Sequence, residues 1–322
     1  AQITPKPAGP TPDATSSPRT SAQNGRLWGA RAQDWADIQE GQFRTAYDAV
    51  FDTCGLGRGT RYCDVGCGAG MAAMLAAGRG AQVSGLDAAE GLLGIASKRV
   101  PAGDFRTGDL EELPFADAQF DLVTGFNAFQ FAANPARALA EAGRIVKPNE
   151  RIVVMTWGTP EGMQAAALVA ALKPLLPPPP PGAPGPFALS QPSALRALAE
   201  SAGLQPLDVF DVACHWAYPD LATALRGLGS SGVAVRAAEL SGAQAVDDAH
   251  AAFPGLRSQR AHRPGVYGHG LAGMLLGAIH VSKGRAVDNN LRVVENAPAV
   301  VSPGEVELRQ IHNADSIARL NQ

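Results

Sequence analysis

The segment Asp64-Val65-Gly66-Cys67-Gly68-Ala69-Gly70 constrains this chain more than any other. It closes a short apolar run, Thr60 to Val65, and opens a helix-forming one, Met71 to Gly78. Glycines at alternate positions let the backbone turn tightly and approach a ligand where a Cβ would clash. A helix starting there aims its free N–H groups into the same space. Such a unit of strand, glycine loop and helix belongs in a parallel sheet, because parallel neighbours need a long crossover.

The same alternation continues downstream. Ala81 to Asp87 reads as a strand, Ala89 to Val100 as an amphipathic helix and Asp104 to Asp109 as a short strand. Phe120 to Asn127 and Arg151 to Trp157 are two more strands, separated by a helix over 133–146. Repeated βα units predict an α/β fold with a doubly wound, mostly parallel sheet whose ligands lie at the carboxyl ends of the strands. Beyond Trp157 the pattern predicts helices over Glu161–Leu172, Gln191–Ala202 and Asp220–Leu228 and a strand over Leu207–Cys214. Two helices are expected before the first strand, where Trp28, Trp35, Phe43, Tyr47, Val50 and Phe51 recur at roughly helical spacing.

Three acids fall at three successive strand ends. Asp64 stands two residues before Gly66, which suits a ligand carrying an ammonium group and is an odd neighbour for a pyrophosphate. Asp87 ends the second strand, where a carboxylate accepts the hydrogen bonds of a ribose diol. Asp109 closes the third, placed for an adenine amine, with the Leu110 N–H beside it for the ring. The loop spacing, G-x-G-x-G, also departs from the G-x-G-x-x-G of dinucleotide enzymes. A nucleoside site with a cationic end is expected.

These segments resemble motifs of the class I S-adenosylmethionine-dependent methyltransferases, in the branch similar to the ubiquinone and menaquinone biosynthesis methyltransferases. YCDVGCGAG, the acid of VSGLDAA, GDLEELPFADAQFDLV and GRIVKPNERIVVMTW carry the likeness, over about Trp28 to Trp157 and more loosely to Ser230. The resemblance implies a Rossmann-like fold with seven strands and S-adenosylmethionine as cofactor. It implies that Gly66, Gly68 and Gly70, with Asp64 and Cys67, wrap the methionine part, that Asp87 takes the ribose and that Asp109 and Leu110 take the adenine. LWGARAQDWA and PPPPPGAPGPFALS are similar to one small-molecule sub-branch, in which a leading helix folds over the cofactor and brings Trp28 to it. Asn127, beyond the fourth strand, lies where donor and acceptor are expected to meet. The chain departs from the family after Leu256, and its last strand is expected from 273–282 or from 291–296.

The flanks read differently. Residues 1–25 hold little to bury and are read as a disordered tail. Residues 26–256 are read as the domain, 174–189 as a proline-rich strap bordering the acceptor, and 257–322 as an atypical end. The formal net charge of -3, with 27 scattered Lys and Arg, excludes a basic nucleic-acid face. No segment has the length of a membrane span or the apolar core of a secretory leader. Four cysteines without paired spacing suggest a reducing cytoplasm and no metal site.

Methyl transfer to an O, N or C atom of a small molecule is therefore the expected activity, in a monomer or homodimer. Its competitors are an NAD(P)-dependent oxidoreductase and a catalytically silent cofactor-binding relative. The reaction requires no particular catalytic residue. Among the six histidines, His215, beside Trp216 and Tyr218, is the candidate general base.

Overall fold

The computed structural model describes residues 19–179, 185–253 and 256, and the backbone of 267–280. Among the described residues, α1 (Ser21–Gly29) and the single turn α2 (Ala32–Asp34) come first, followed by a π-helical turn, Trp35–Gln39, and a 3-10 turn, Glu40–Phe43. These lead into α3 (Arg44–Cys54), which Gly55 ends in a left-handed conformation. Next come β1 (Arg61–Val65), α4 (Met71–Gly78), β2 (Gln82–Asp87), α5 (Glu90–Arg99), β3 (Asp104–Thr107) and β4 (Phe120–Phe126). They continue as α6 (Pro135–Ile145), β5 (Val146–Trp157), α7 (Ala166–Ala171), α8 (Pro192–Ser201), β6 (Gln205–Tyr218), α9 (Leu221–Leu228), α10 (Gly232–Ser241), α11 (Ala243–Ala251) and β7 (Tyr267–His280).

β3, β2, β1, β4 and β5 pair side by side, all parallel. This is the doubly wound parallel arrangement expected from the repeated βα units. On the β5 edge, β7 pairs antiparallel with β5, and β6 pairs antiparallel with β7. The last strand therefore covers most of the first candidate segment, while 291–296 lies outside the described residues.

Alternation along the central strands makes two cores. Tyr62, Leu122, Phe126, Val153 and Met155 face α3 and α4, whereas Cys63, Val65, Val123, Ile152 and Val154 face α6 and α8. Each strand is thus apolar on both sides, which explains the near-continuous runs in the sequence. α6 starts where Asn134 caps it, accepting from the Arg137 N–H with Pro135 in the first turn.

Several expectations shift. The first helix starts at Ser21, inside the stretch read as a tail, because Thr20 and Asn24 both bond the Phe131 carbonyl. The tail reading is left with residues 1–18, which lie outside the described residues. A truncation ending at Gln23 would remove the Thr20 anchor. β5 begins at Val146, earlier than expected, and β6 runs to Tyr218. The helix read over Glu161–Leu172 is broken into a 3-10 turn and the six-residue α7. α10 and α11 were not anticipated.

Candidate functional site

A cleft opens at the carboxyl ends of the parallel strands. Gly66, Gly68, Asp87, Asp109, Leu110, Asn127 and Trp28, all singled out in the sequence, line it. The order of strands sets their order in space: Asp109 follows β3, Asp87 ends β2, the glycine loop follows β1, and Asn127 follows β4.

Asp87 serves the loop as well as the cleft. One carboxylate oxygen accepts from the Gly68 N–H at 2.9 Å and the other from the Ala89 N–H at 2.8 Å. Burial pushes this carboxyl upward, and those N–H donors pull against the rise. Each oxygen keeps lone pairs for a diol. Asp109 accepts from the Glu111 N–H at 2.8 Å through Oδ1, while its Oδ2 is buried with no partner among the described residues. An acceptor left unpaired in a ligand-sized cleft costs free energy until a donor arrives. An exocyclic amine supplies one.

Gly66, Gly68 and Gly70 all have positive φ, at 78°, 56° and 80°. A Cβ on Gly66 would lie 2.4 Å from the Ala128 Cβ, and one on Gly68 3.2 Å from Glu40 Oε1. Gly70 does not line the cleft; a Cβ there would sit 2.9 Å from the Ala96 backbone, so its smallness lets α4 pack on α5.

Asp64 and Cys67 are set behind the loop, and neither lines the cleft. The Thr124 hydroxyl donates to Asp64 Oδ1 at 2.7 Å and lies 2.6 Å from the Tyr62 hydroxyl. Burial, with smaller contributions from the charges of Glu40 and Asp87, pushes the Asp64 carboxyl up to about 8. The folded value exceeds the unfolded one, so its stabilising contribution is complete near pH 4 and is lost as the pH rises toward 8. Asp64→Asn should therefore be more stable than the parent at pH 8, by about 1.4 kcal/mol or more, and converge with it near pH 4. Urea unfolding at the two pH values checks this; parallel curves would refute it. Cys67 is buried, and its thiol is pushed well above its ordinary value by burial, then by the charges of Asp87 and Asp64.

The roof comes from the leading segment. Thr20, Ser21, Asn24, Trp28, Trp35 and Phe43 line the cleft. Trp28 meets Trp35 and Phe131 edge-on at 5.0 and 5.5 Å. The segment is pinned by Glu40, which is 3% exposed, pairs with Arg99 and accepts from the Met71 N–H. Arg99 also donates to the Ala69 and Ala36 carbonyls at 2.9 and 2.8 Å. This buried pair was missed, since a glutamate among polar neighbours gives no signal in one sequence.

The structure does not bring His215 to the site: its side chain is exposed on β6 and lines no part of the cleft. Residues of the proline strap are likewise absent from the wall among those described. Trp157, at the end of β5, stands there instead. Asn127 adopts a left-handed φ of 54° and accepts from the Gln130 side chain at 3.2 Å. No group of three or more His, Cys, Asp or Glu among the described residues is arranged for a metal, and none of the described helices is long and apolar enough to cross a membrane.

Residues 63–154 match the family model of a methyltransferase domain. A demethylmenaquinone methyltransferase of Renibacterium salmoninarum is 37% identical over 123 residues, 38% of this chain and 52% of the relative. A malonyl-[acyl-carrier protein] O-methyltransferase of Erwinia pyrifoliae is 31% identical over 176 residues, 55% of this chain and 63% of the relative. The chain spans about half the length of the first of these and under two thirds of the second. Among solved structures, the complex of the Haloferax volcanii Trm112 methyltransferase activator with a methyltransferase aligns with a TM-score of 0.52 at 18% identity, covering 83% of this chain and 100% of the other. A structure described for the conversion of a disulfide bond into a thioacetal group during echinomycin biosynthesis aligns at 0.51 and 18%, covering 81% and 94%. Both show the fold. Through residues 63–154 the chain is thus similar to a methyltransferase domain, which supports the likeness to class I S-adenosylmethionine-dependent methyltransferases of the ubiquinone and menaquinone type.

Proposed function

We propose that this protein transfers a methyl group from S-adenosylmethionine to a small-molecule acceptor. The observation that carries the reading is the unpaired buried Oδ2 of Asp109, in the same cleft as Asp87 and the left-handed glycine loop. In this reading Asp109 accepts from the adenine amine and Leu110 offers its N–H to the ring. Asp87 takes the ribose, and the backbone of Gly66 and Gly68 borders the methionine part. Asp64, Cys67 and Gly70 shape that loop from behind. Asn127 and Trp28 complete the wall.

When bound, the cofactor supplies a methyl group already activated on a sulfonium. The protein's own task is to hold two reactants in line and exclude water. The strand ends hold one side of the cleft, and the tryptophan-bearing roof closes the other. The match to a demethylmenaquinone methyltransferase favours a quinol or phenol among acceptors, with amines and other secondary metabolites next. We read the sheet as the family's seven-stranded form with β7 as its last strand, and the protein as a cytoplasmic monomer or homodimer. The four free cysteines are in keeping with that compartment.

Incubation with S-adenosylmethionine and a panel of quinols, phenols and amines, read by mass spectrometry, should show a methyl-sized gain. No gain across the panel, together with binding of a nicotinamide cofactor, would favour the oxidoreductase. Asp87→Ala should weaken S-adenosylhomocysteine binding at least tenfold in calorimetry. It removes a charged acceptor worth about 1.5–3 kcal/mol and frees the Gly68 N–H. Unchanged affinity would remove the ribose assignment.

A further inference from the structure

Acceptors of this reaction must lie beyond the methyl group, at the end of the cleft away from the nucleoside. Asp109 and Asp87 fix the nucleoside end at β3 and β2, so the acceptor end lies beyond β4 and β5. Phe126 and Trp157 end those strands, and Phe43 and Tyr47 face them from the leading segment and α3. Tyr47 packs on Phe126 at 4.7 Å, and Phe43 on Trp157 at 5.9 Å.

Among the described residues, this aromatic end carries no charged side chain. The titratable groups among the lining residues are Asp87, Asp109 and Tyr47, and the first two belong to the nucleoside. Tyr47 is 6% exposed, and its hydroxyl has no hydrogen-bond partner among the described residues. The other two tyrosines with described side chains are both satisfied: the Tyr62 hydroxyl lies 2.6 Å from that of Thr124, and Tyr218 donates to Gln39 at 2.7 Å. A nearly buried phenol without a partner, on the wall of a cleft, is a group kept for a ligand.

We propose that Tyr47 touches the acceptor and donates a hydrogen bond to the oxygen that receives the methyl group. This rests on the methyltransferase reading. Burial first, then the charges of Glu40 and Asp64, holds the Tyr47 phenol protonated, which makes it a donor and not a base. The acceptor hydroxyl gives its proton to water. A C–O bond then forms as the C–S bond breaks, the sulfonium becomes a neutral thioether, and Tyr47 keeps its proton throughout. Its contribution is aim: the bond fixes the oxygen, and the ring of Phe126 fixes the phenol.

The test compares 1-naphthol with naphthalene, each titrated in the presence of S-adenosylhomocysteine and followed by quenching of the cleft tryptophans. Tyr47→Phe should weaken 1-naphthol about fivefold, the equivalent of one net hydrogen bond. Naphthalene and S-adenosylhomocysteine should bind the variant as they bind the parent. The proposal is overturned if 1-naphthol is unaffected, if naphthalene weakens equally, or if the parent binds both arenes alike. Loss of S-adenosylhomocysteine affinity in the variant also overturns it, by placing Tyr47 on the donor side. Failure of the methyltransferase reading is seen separately, as a parent protein that binds no S-adenosylhomocysteine.

Discussion

Replacing Glu40 by alanine is expected to lower the unfolding free energy by about 3 kcal/mol, the low end for breaking a buried ion pair by removing one partner. Arg99 would keep its bonds to the Ala36 and Ala69 carbonyls but lose its counter-charge, with its side chain only 17% exposed. The Met71 N–H at the start of α4 would lose its acceptor as well. Glu40→Gln should cost less, since an amide oxygen can still accept from Met71. Denaturant midpoints for the two variants give the answer, and equal, small losses in both would mean the pair contributes nothing. The effect should extend to function, because the pair ties the roof to the glycine loop. S-adenosylhomocysteine affinity should fall in step with stability.

Gly66→Ala is the other large effect. At φ 78° a side chain costs about 1–2 kcal/mol in backbone energy. The added methyl would also press into the Ala128 Cβ, 2.4 Å from its ideal position, and overpacking of that kind costs about 1–3 kcal/mol more. Ala128 belongs to the loop after β4 that carries Asn127, so relief of the clash moves a wall of the cleft. The expected result is a loss of about 2–5 kcal/mol in stability and of measurable S-adenosylhomocysteine binding. Retention of parent-like affinity would show that the loop does not need its left-handed turn there.

The parallel sheet was legible because β1, β2, β4 and β5 are apolar on both faces, and because β1, β2, β3 and β5 each end on, or run straight into, a glycine or an acid. Those end positions are adjacent in sequence to the strands themselves, so Asp87, Asp109, Gly66 and Gly68 could be assigned to one cleft without any knowledge of packing, whereas Gly70 packs on Ala96 instead. What depends on contacts between distant segments was not legible. Glu40 and Arg99 are separated by α3, β1, α4 and β2, and nothing in either neighbourhood names the other. His215 failed for a related reason: alternation along β6 buries Cys214, Trp216 and Tyr218 and turns His215 outward, and which face is inward depends on what packs there. The acid before the loop was placed correctly in the chain but not in space, since its carboxylate turns to Thr124. Thr20 and Asn24 were lost to composition, because a polar helix start looks like tail until its carbonyl partner at Phe131 is known.

The burial of Cys67 has a chemical consequence. In the proposed reaction the sulfonium methyl is an electrophile that any nearby thiolate would capture, and the loop proposed to border it carries a cysteine at its centre. With its thiol raised by burial and by two carboxylates, Cys67 is a neutral thiol tucked against Gly85, where an added Cβ would meet its sulfur at 2.9 Å. The neutral form is a poor nucleophile, and Cys67 is buried and does not line the cleft. On the proposed reading, burial first and then the charge of Asp87 thus keep the loop's own thiol from being alkylated.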